Sequence, residues 1–476
     1  MLRSCCPWAG LAVLFLSSCA DLRHNYRYPS GLREDPPQKQ GSSGAAFAAA
    51  AVSGTALSFV RRPVHTLRIG GMVLWNRPRE LIVGNLKIPE GPPPVTWSPG
   101  SAEFEHALDA AKIPRSEPGK ITWFVNGTRF FPEFNRLIDN ARESIDVQAY
   151  IYDNDEIAVR LADRLKQRSN EVRVRVLFDR LGSALAGTTE PETPASPGFT
   201  PPKSVTRYLR EGSSVKVRSS LNPWLVADHT KLHVFDQKVS LMGCANIGRE
   251  YYNEWHDLMF RVEGPVVARL QEDYHRTWQR ADPAGFLTAF RKTPAVATPP
   301  EVPGMIPIRV MRTDPMAGRF EIRTSMLMAI RAAKKRVWIE DPFISHDDIT
   351  EALEEASQRG VDVRVIYPEK NDSKLMDIAN RAFANDLVEA GGKAFRYPRM
   401  THLKIMVCDD WACVGSANLD TLSMRINREL NLAFNDRKTV NELIRQVFLP
   451  DFAISKPHRH KPVTPAGLAE ALADQL

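Results

Sequence analysis

The chain has 476 residues, a formal net charge of +7 and 43% hydrophobic residues. This composition is typical of a globular protein of two or three domains, and it excludes bulk disorder, collagen and a polytopic membrane protein. The basic excess suits an anionic partner, either a phospholipid surface or a nucleic acid. Six cysteines in a chain of this length do not form a disulfide scaffold.

The first residues have the layout of a secretory signal peptide, which we predict over residues 1–18. Arg3 supplies a positive charge, and a mostly apolar run over residues 7–16 is too short to span a membrane. The run ends in LSSC, which resembles a bacterial lipobox and implies cleavage before Cys19 and lipidation of that cysteine. Because Ala20 rather than aspartate follows, we expect the outer membrane, facing the periplasm, ahead of the inner membrane. A plain secretory signal is the alternative.

Changes in composition divide the rest of the chain. Residues 19–118 are expected to be a lipidated tether and a small appendage, in which residues 64–90 suggest two or three strands. A Pro- and Ser-rich insertion at 186–203 predicts a loop, either at the border of a cleft or far from it. The remaining parts are a first repeat at 119–292, a linker at 293–304, a second repeat at 305–454 and a C-terminal tail at 455–476.

An internal duplication governs the predicted fold. The first repeat reads, in chain order, as strand KITWFVNG, helix FPEFNRLIDNARESI, strand DVQAYIY, helix IAVRLADRLKQRS and strand VRVRVLFD. The second reads as strand IPIRVMR, helix FEIRTSMLMAIRAAKK, strand RVWIEDPFI, helix DDITEALEEASQRG and strand VDVRVIYP. This alternation predicts an α/β protein of two tandem sandwich repeats with a largely parallel core. A pseudo-twofold axis would place a shared site at their interface.

The same short motif occurs once in each repeat. It combines a histidine, a lysine two residues on and an aspartate five residues further, and its members are His229, Lys231 and Asp236 in the first repeat and His402, Lys404 and Asp409 in the second. One match would be a weak signal, whereas two in register within a duplication are a strong one. Both motifs lie in apolar runs that predict strands, so each histidine points to the same side as its lysine. We expect the two pairs to converge.

Further polar residues recur downstream of each motif. Each repeat has a Gly-x-Ala-Asn segment, and an acid stands eleven residues beyond the asparagine. The residues are Cys244, Asn246 and Asp257 in the first repeat and Ser416, Asn418 and Glu429 in the second. Several independent coincidences would be needed to produce this agreement by chance.

With its paired H-x-K-x4-D motifs, the chain resembles the phospholipase D superfamily from Lys120 to Asp436, and most closely its bacterial cardiolipin synthase branch. The stretches HTKLHVFD, GCANIGREY and THLKIMVCDDWACVGSANLDTLSMRINRELNL carry the likeness. Cys244 departs from it, since glycine or serine is usual there, and the lipobox stands in place of paired transmembrane helices. The resemblance implies two phospholipase D-like repeats and a membrane-anchored phosphatidyltransferase that acts on phospholipid phosphodiesters through a phosphohistidine.

The resemblance also implies roles for the recurring residues. It suggests His229 as nucleophile and His402 as general acid and base. The two lysines and the two asparagines would bind phosphate oxygens, with Ser416 adding a hydrogen bond. The two acids beyond the asparagines are expected to bind the far nitrogens of the histidines. The motif aspartates, grouped with the catalytic residues, are expected to support the site rather than to react.

This scheme needs no cofactor and no metal ion, and the expected partner is a membrane containing anionic phospholipid. Nucleic acid is not favoured, because the arginines of VRVRVLFDR are dispersed along a core strand. No obligate protein partner is expected. A hydrolytic phospholipase D, a nuclease with the same chemistry and a lipid-binding protein without activity are the alternatives.

Other singled-out residues are expected to have structural roles. Cys408 and Cys413 could face each other across a hairpin as a disulfide or remain buried thiols. His233 and His256 are expected to be structural or at the edge of a cleft. The histidines of KPHRHKP are expected to lie in a solvated tail.

Overall fold

The structure is a computed structural model that describes residues 95–185, 192, 193, 195–222, 226–284 and 293–460, together with Ala56, Thr66 and Leu67. The predicted signal peptide and Cys19 lie outside the described residues. So do the strands expected at 64–90, apart from two positions, and residues 461–476 of the tail.

The described residues form a mixed α/β fold. Its strands are β1 (Glu117–Val125), β2 (Ser144–Ala149), β3 (Arg173–Asp179), β4 (Lys216–Ser220), β5 (Leu232–Phe235), β6 (Val239–Gly243), β7 (Leu258–Glu263), β8 (Ile306–Asp314), β9 (Arg319–Phe320), β10 (Arg336–Glu340), β11 (Asp362–Pro368), β12 (Lys393–Tyr397), β13 (Ile405–Cys408), β14 (Trp411–Gly415), β15 (Glu429–Phe434) and β16 (Lys456–Pro457). Its α-helices are α1 (Ala102–Ala110), α2 (Gly127–Asn140), α3 (Glu156–Arg168), α4 (Arg180–Leu185), α5 (Val205–Arg210), α6 (Val267–Arg280), α7 (Glu321–Ala332), α8 (Asp347–Gln358), α9 (Lys374–Glu389), α10 (Arg437–Leu443) and α11 (Leu449–Ile454). Short π-helical turns lie at Glu250–Glu254, Leu422–Ile426 and Ile444–Phe448. The strand–helix–strand–helix–strand order predicted for each repeat is confirmed.

Helix α3 shows how the sequence specifies such an element. The side chain of Asp155 caps its first turn by accepting the N–H of Ala158. Two basic residues in the last turn complement the partial negative charge at the carboxyl end. Leu161 and Leu165, four residues apart, lie on one face and are buried in the core of the first repeat.

One continuous sheet runs through both repeats. The strands follow the order β16-β12-β11-β10-β13-β14-β15-β8-β1-β7-β6-β5-β2-β3-β4, so each repeat has the same internal order on either side of the β1–β8 junction. At this junction Glu117–Gly119 pair antiparallel with Ile306–Ile308. The core is mixed rather than largely parallel. Strands β2–β4 and β10–β12 are parallel, but β5 and β6, like β13 and β14, are joined by tight turns that allow only antiparallel pairing.

Helix α1 changes the expected domain division. It lies within the supposed appendage, yet Phe104 is fully buried in the core of the second repeat and packs edge-on against Trp411 at 6.1 Å. Arg309 of β8 forms ion pairs with Glu105 at 2.6 Å and Asp109 at 2.7 Å. Helix α1 therefore packs into the core of the second repeat rather than forming part of a separate unit.

The start of the C-terminal tail is also more ordered than expected. Residues 456 and 457 form β16, which pairs antiparallel with β12 at the end of the sheet. His458 lies 2.6 Å from the hydroxyl of Tyr367 through Nδ1 and 2.9 Å from Asn385 through Nε2. The first residues of the tail therefore cover a sheet edge.

All three cysteines in the described region are buried free thiols. In the β13–β14 hairpin, Cys408 is opposite Trp411 and Cys413 is opposite Met406. The two cysteines do not face each other, so the disulfide alternative is not realised. Within the described ranges, no helix is long and apolar enough to cross a bilayer.

Candidate active site

The two motif segments meet where the repeats join. His229 and Lys231 immediately precede β5, and His402 and Lys404 immediately precede β13. The lysines are 1% exposed, whereas His229 and His402 keep 8% and 6% exposure. The predicted convergence of both pairs is present, with the histidines nearer to solvent than the ammonium groups.

The backbone brings each histidine to an acid of the opposite repeat. The N–H of His229 donates to the carbonyl of Arg428 at 2.9 Å, and the N–H of His402 donates to the carbonyl of His256 at 2.7 Å. These contacts belong to short parallel bridges between the repeats. The residue after each accepting carbonyl is the recurring acid, so the path of the chain places the acid across the interface from its histidine.

A carboxylate lies against Nδ1 of each motif histidine. Nδ1 of His229 lies 3.0 and 3.1 Å from the two carboxylate oxygens of Glu429, and Nδ1 of His402 lies 2.9 Å from Oδ1 of Asp257. A carboxylate at Nδ1 fixes that nitrogen as the N–H and leaves Nε2 with a lone pair. Each acid therefore serves the histidine of the other repeat, which the spacing along the chain did not reveal.

The two acids are supported differently. The hydroxyl of Ser416 donates to Oε2 of Glu429 at 2.6 Å and accepts the N–H of Leu430 at 3.0 Å. Ser416 is therefore engaged with the acid, and its expected contact with phosphate stays a prediction. Its counterpart Cys244 instead donates to the carbonyl of Gly415 at 3.2 Å. Oδ2 of Asp257 has no hydrogen-bond partner among the described residues.

Each lysine is anchored to the carbonyl of its own motif histidine. Nζ of Lys231 donates to His229 O at 2.8 Å, and Nζ of Lys404 donates to His402 O at 2.7 Å. Burial lowers the pKa of Lys231 to about 7, with Glu429 acting in the opposite direction and the ammonium of Lys404 acting in the same direction as burial. The site thus concentrates positive charge in a buried position, where an anion is favourable.

Burial and the two ammonium groups hold the pKa of both histidines well below the usual range. Both imidazoles are therefore neutral at pH 7, which a nucleophilic nitrogen requires. Burial raises the pKa of Glu429 to about 7, with Lys231 acting in the opposite direction. It raises that of Asp257 to about 8, although both lysines oppose the shift.

The asparagines occupy the same region but are engaged with protein groups. Oδ1 of Asn246 accepts the N–H of Ile151 at 3.1 Å. Nδ2 of Asn418 donates to Asp420 at 3.2 Å, and its Oδ1 has no partner among the described residues. Their contact with phosphate remains a prediction.

The motif aspartates lie at the opposite ends of the two strands from the histidines. Asp236 and Asp409 both adopt a left-handed φ of 52° at the hairpin turns. Their carboxylates accept backbone N–H groups just before β2 and β10, from Arg142, Glu143 and Ser144 and from Lys334, Lys335 and Arg336 respectively. These contacts correct their grouping with the catalytic residues: the two aspartates brace turns.

Aromatic rings that the motif analysis missed surround the histidines. Tyr150 packs edge-on against His229 at 4.7 Å. Tyr251 and Trp255 lie 5.6 and 5.1 Å from His402. They have no matching residues in the duplication, so no repeated signal marked them. The insertion contacts the turn that carries Tyr251, since the N–H groups of residues 192 and 193 donate to Glu254 in the same turn.

His233 does not reach the site. It is fully buried in the first repeat and stacks on Phe134 at 4.4 Å and Phe130 at 6.3 Å. The structural role expected for it fits these contacts. His233 is an even number of residues from His229 and Lys231, which on a regular strand would put all three on one face. It does not lie beside them, because the regular strand begins only at Leu232.

Paired histidines, lysines and acids from two tandem α/β repeats define a phospholipase D-like protein. The family described as "Cardiolipin synthase, PLD-like domain" matches residues 134–278 and 326–449, more than half of the chain. The chain belongs to this family, and it is an enzyme of phosphatidyltransferase or phospholipase D type.

Curated relatives agree with this assignment, and a solved structure shares the fold. The chain is 30% identical over 363 residues to cardiolipin synthase A of Pseudomonas fluorescens (strain SBW25), covering 72% of this chain and 71% of the relative. It is 31% identical over 363 residues to cardiolipin synthase A of Pseudomonas syringae pv. syringae (strain B728a), with the same coverage. The crystal structure of phosphatidylserine synthase from Haemophilus influenzae Rd KW20 has a TM-score of 0.58 at 14% identity, covers 78% of this chain and all of its own, and shows the shared fold.

Proposed function

We propose that the chain is a membrane-anchored phosphatidyltransferase of the cardiolipin synthase type, which works through a phosphohistidine intermediate on phospholipid phosphodiesters. The observation that carries this proposal is the reciprocal arrangement of two buried histidines, each held at Nδ1 by an acid of the opposite repeat. The identity to cardiolipin synthases over about 70% of the chain supports transfer to an alcohol over other reactions.

In the first half-reaction, Nε2 of His229 attacks phosphorus and the bond from phosphorus to the head-group oxygen breaks. His402, as imidazolium, gives its proton to the departing oxygen. The bound phosphodiester is an anion that offsets the two lysine ammonium groups and so favours the protonated form of His402. The lysines stabilise the charge that develops on the phosphoryl oxygens. The product is a phosphatidyl group bonded to His229.

In the second half-reaction, the hydroxyl of an acceptor gives its proton to His402 while its oxygen attacks phosphorus. The bond between phosphorus and Nε2 of His229 breaks, and the nucleophile is regenerated. When donor and acceptor are both phosphatidylglycerol, the products are cardiolipin and glycerol. When water is the acceptor, the product is phosphatidic acid, which is the hydrolytic alternative.

The proposed location is the cell envelope. The lipobox ending at Cys19 supports a lipid anchor facing the periplasm, in the outer membrane ahead of the inner one. Tethering raises the effective concentration of the site at the lipid surface. Both halves of the site come from one chain, so no protein partner is required to complete it.

The test uses residues 20–476, incubated separately with phosphatidylglycerol vesicles, phosphatidylethanolamine vesicles and single-stranded DNA, with products read by mass spectrometry. Cardiolipin and glycerol are expected from the first, and their formation is expected to be lost in His229→Ala and His402→Ala. His460→Ala is the matched control, since it removes an exposed histidine outside the site. Phosphatidic acid as the product would support hydrolysis, and cleaved DNA with intact lipid would support the nuclease.

A further inference from the structure

A second cluster of ionisable side chains lies beside the His402–Asp257 pair, and the proposed chemistry does not use it. It consists of His256, Glu340 and Asp451, which are 3%, 0% and 4% exposed. Their potential ligand atoms all lie within 4.8 Å of one another. The three residues come from the segment before β7, the end of β10 and helix α11, so the cluster joins both repeats and the last helix.

The hydrogen bonds of His256 determine which of its nitrogens faces the acids. Nδ1 lies 2.7 Å from Oδ1 of Asn126, and this oxygen also accepts the N–H of Asp257 at 3.4 Å. An oxygen acceptor requires a hydrogen on Nδ1, so the neutral imidazole directs its Nε2 lone pair at Oδ2 of Asp451, 3.0 Å away. Two lone pairs at this separation repel unless a cation or a proton lies between them.

Glu340 adds a second carboxylate to the same place. Thr401 donates to its Oε1, while its Oε2 has no hydrogen-bond partner among the described residues. Burial and the proximity of Asp451 raise the pKa of Glu340 well above its usual range. A single divalent cation would offset both carboxylates.

At the equivalent position in the first repeat, a fixed positive charge compensates the buried carboxylate. Arg428 precedes Glu429 as His256 precedes Asp257, and the strand registers align Gln148 with Glu340. There, Arg428 lies 2.6 Å from Asp228, and the amide of Gln148 donates to the same carboxylate at 3.1 Å.

Among the described residues, no arginine or lysine pairs with the carboxylates of the second cluster. In the part of the chain that the structure describes, the ion pair of Asp451 is with His256, its carboxyl group faces that of Glu340, and Glu340 forms no ion pair with a lysine or arginine. A buried carboxylate without a compensating charge is strongly unfavourable. A divalent cation from outside the chain would supply the positive charge that Arg428 supplies at the other position.

We propose that His256, Glu340 and Asp451 bind one divalent transition-metal ion of the Zn²⁺ class, through Nε2 and the two carboxylates. One imidazole with two carboxylates is a donor set that suits zinc. The Nδ1–H bond to Asn126 is the outer hydrogen bond that metal-bound histidines make. The ion ties α11 and β10 to the segment that carries Asp257. This site differs from the sequence-based expectation of no metal, and it does not depend on the proposed lipid chemistry.

The experiment uses untagged protein of residues 20–476, stripped of metal with a chelator and titrated with Zn²⁺ by calorimetry. Co²⁺ serves as a spectroscopic probe, because its visible absorption reports nitrogen and oxygen coordination. We expect one ion per chain and a rise in Tm of at least about 3 °C at saturating Zn²⁺. Lipid turnover is not part of this readout, so failure of the metal site and failure of the proposed function are separable.

Glu340→Gln is the decisive variant, because it gives the second repeat the glutamine that the first repeat has at Gln148. It keeps the side-chain volume and an acceptor for Thr401, and we expect Zn²⁺ affinity to fall by about 100-fold or more. Asn126→Gly keeps the left-handed φ of 67° and removes the side-chain oxygen that accepts from His256 and from the N–H of Asp257, with an expected loss of about 10- to 100-fold. Glu389→Gln is the control, since Glu389 pairs with an exposed histidine at 3.2 Å, and it should bind as wild type.

Wild-type protein that binds neither Zn²⁺ nor Co²⁺ would overturn the proposal and leave a proton-sharing network in its place. So would a Glu340→Gln variant that is folded by circular dichroism and binds as tightly as wild type. If that variant does not fold, the wild-type titration and Asn126→Gly decide the question.

Discussion

The crossed contacts predict that an acid in one repeat controls the histidine of the other. Glu429→Gln removes a negative charge 3.0 Å from Nδ1 of His229, and Asp257→Asn removes one 2.9 Å from Nδ1 of His402. Both amides keep an oxygen that accepts the Nδ1–H, so the ring orientation is retained. The loss is confined to the charge that stabilises the imidazolium as it forms.

The expected size of the effect follows from the strength of such a contact. A hydrogen bond to a charged group contributes about 1.5–3 kcal/mol, which corresponds to about 10- to 150-fold in rate. Glu429 is also held by Ser416 at 2.6 Å, whereas Oδ2 of Asp257 has no partner among the described residues. We therefore expect Asp257→Asn to lie nearer the upper end of this range.

The assay uses a phosphatidyl ester of p-nitrophenol, whose phenolate departs without a proton donor. Its initial burst reports attack by His229, and the steady state reports transfer to the acceptor alcohol through His402. Glu429→Gln is expected to slow the burst, while Asp257→Asn leaves the burst intact and slows the steady state. The opposite pattern, or equal slowing of both phases by both variants, would refute the crossed assignment. Asp436→Asn is the control, because this residue only caps α10.

Three further outcomes are expected. kcat/KM should give a bell-shaped pH profile in wild type. The rising limb near pH 7 reports the carboxyl of Glu429, whose pKa burial raises to about 7 and which must lose its proton to hold the Nδ1–H of His229. The falling limb reports loss of the proton of Lys231, whose pKa burial lowers to about 7, and only the rising limb should be absent in Glu429→Gln. Asp236→Asn and Asp409→Asn should each lower the free energy of unfolding in urea by about 1–3 kcal/mol, because asparagine keeps the left-handed turn but loses charged contacts to backbone amides. An altered burst rate without lost stability would contradict the bracing role. Ellman's reagent should find no reactive thiol in native protein of residues 20–476 and three after unfolding, whereas only one would indicate a disulfide.

Periodicity and duplication were sufficient to predict the repeated elements and the histidine–lysine pairs, because both are local patterns. They could not predict which acid meets which histidine, since His229 and Glu429 are 200 residues apart and either acid satisfies the spacing. Helix α1 was missed because it has no counterpart in the duplication. Asp236 was placed with the catalytic residues because the motif contains it, whereas only the backbone shows that its carboxylate closes a turn.

The exchange of acids between the repeats bears on how the two halves could diverge. If each half held its own histidine with its own acid, a change of acid would affect only the histidine of the same half. Here each half supplies a component of the other's machinery, so loss of Asp257 or Glu429 damages a histidine encoded elsewhere in the chain. The two halves differ instead in the residues next to the acids, where Cys244 in the first half corresponds to Ser416 in the second. The acid of each half is therefore coupled to the histidine of the other half, whereas the residues around the acids have changed independently in the two halves.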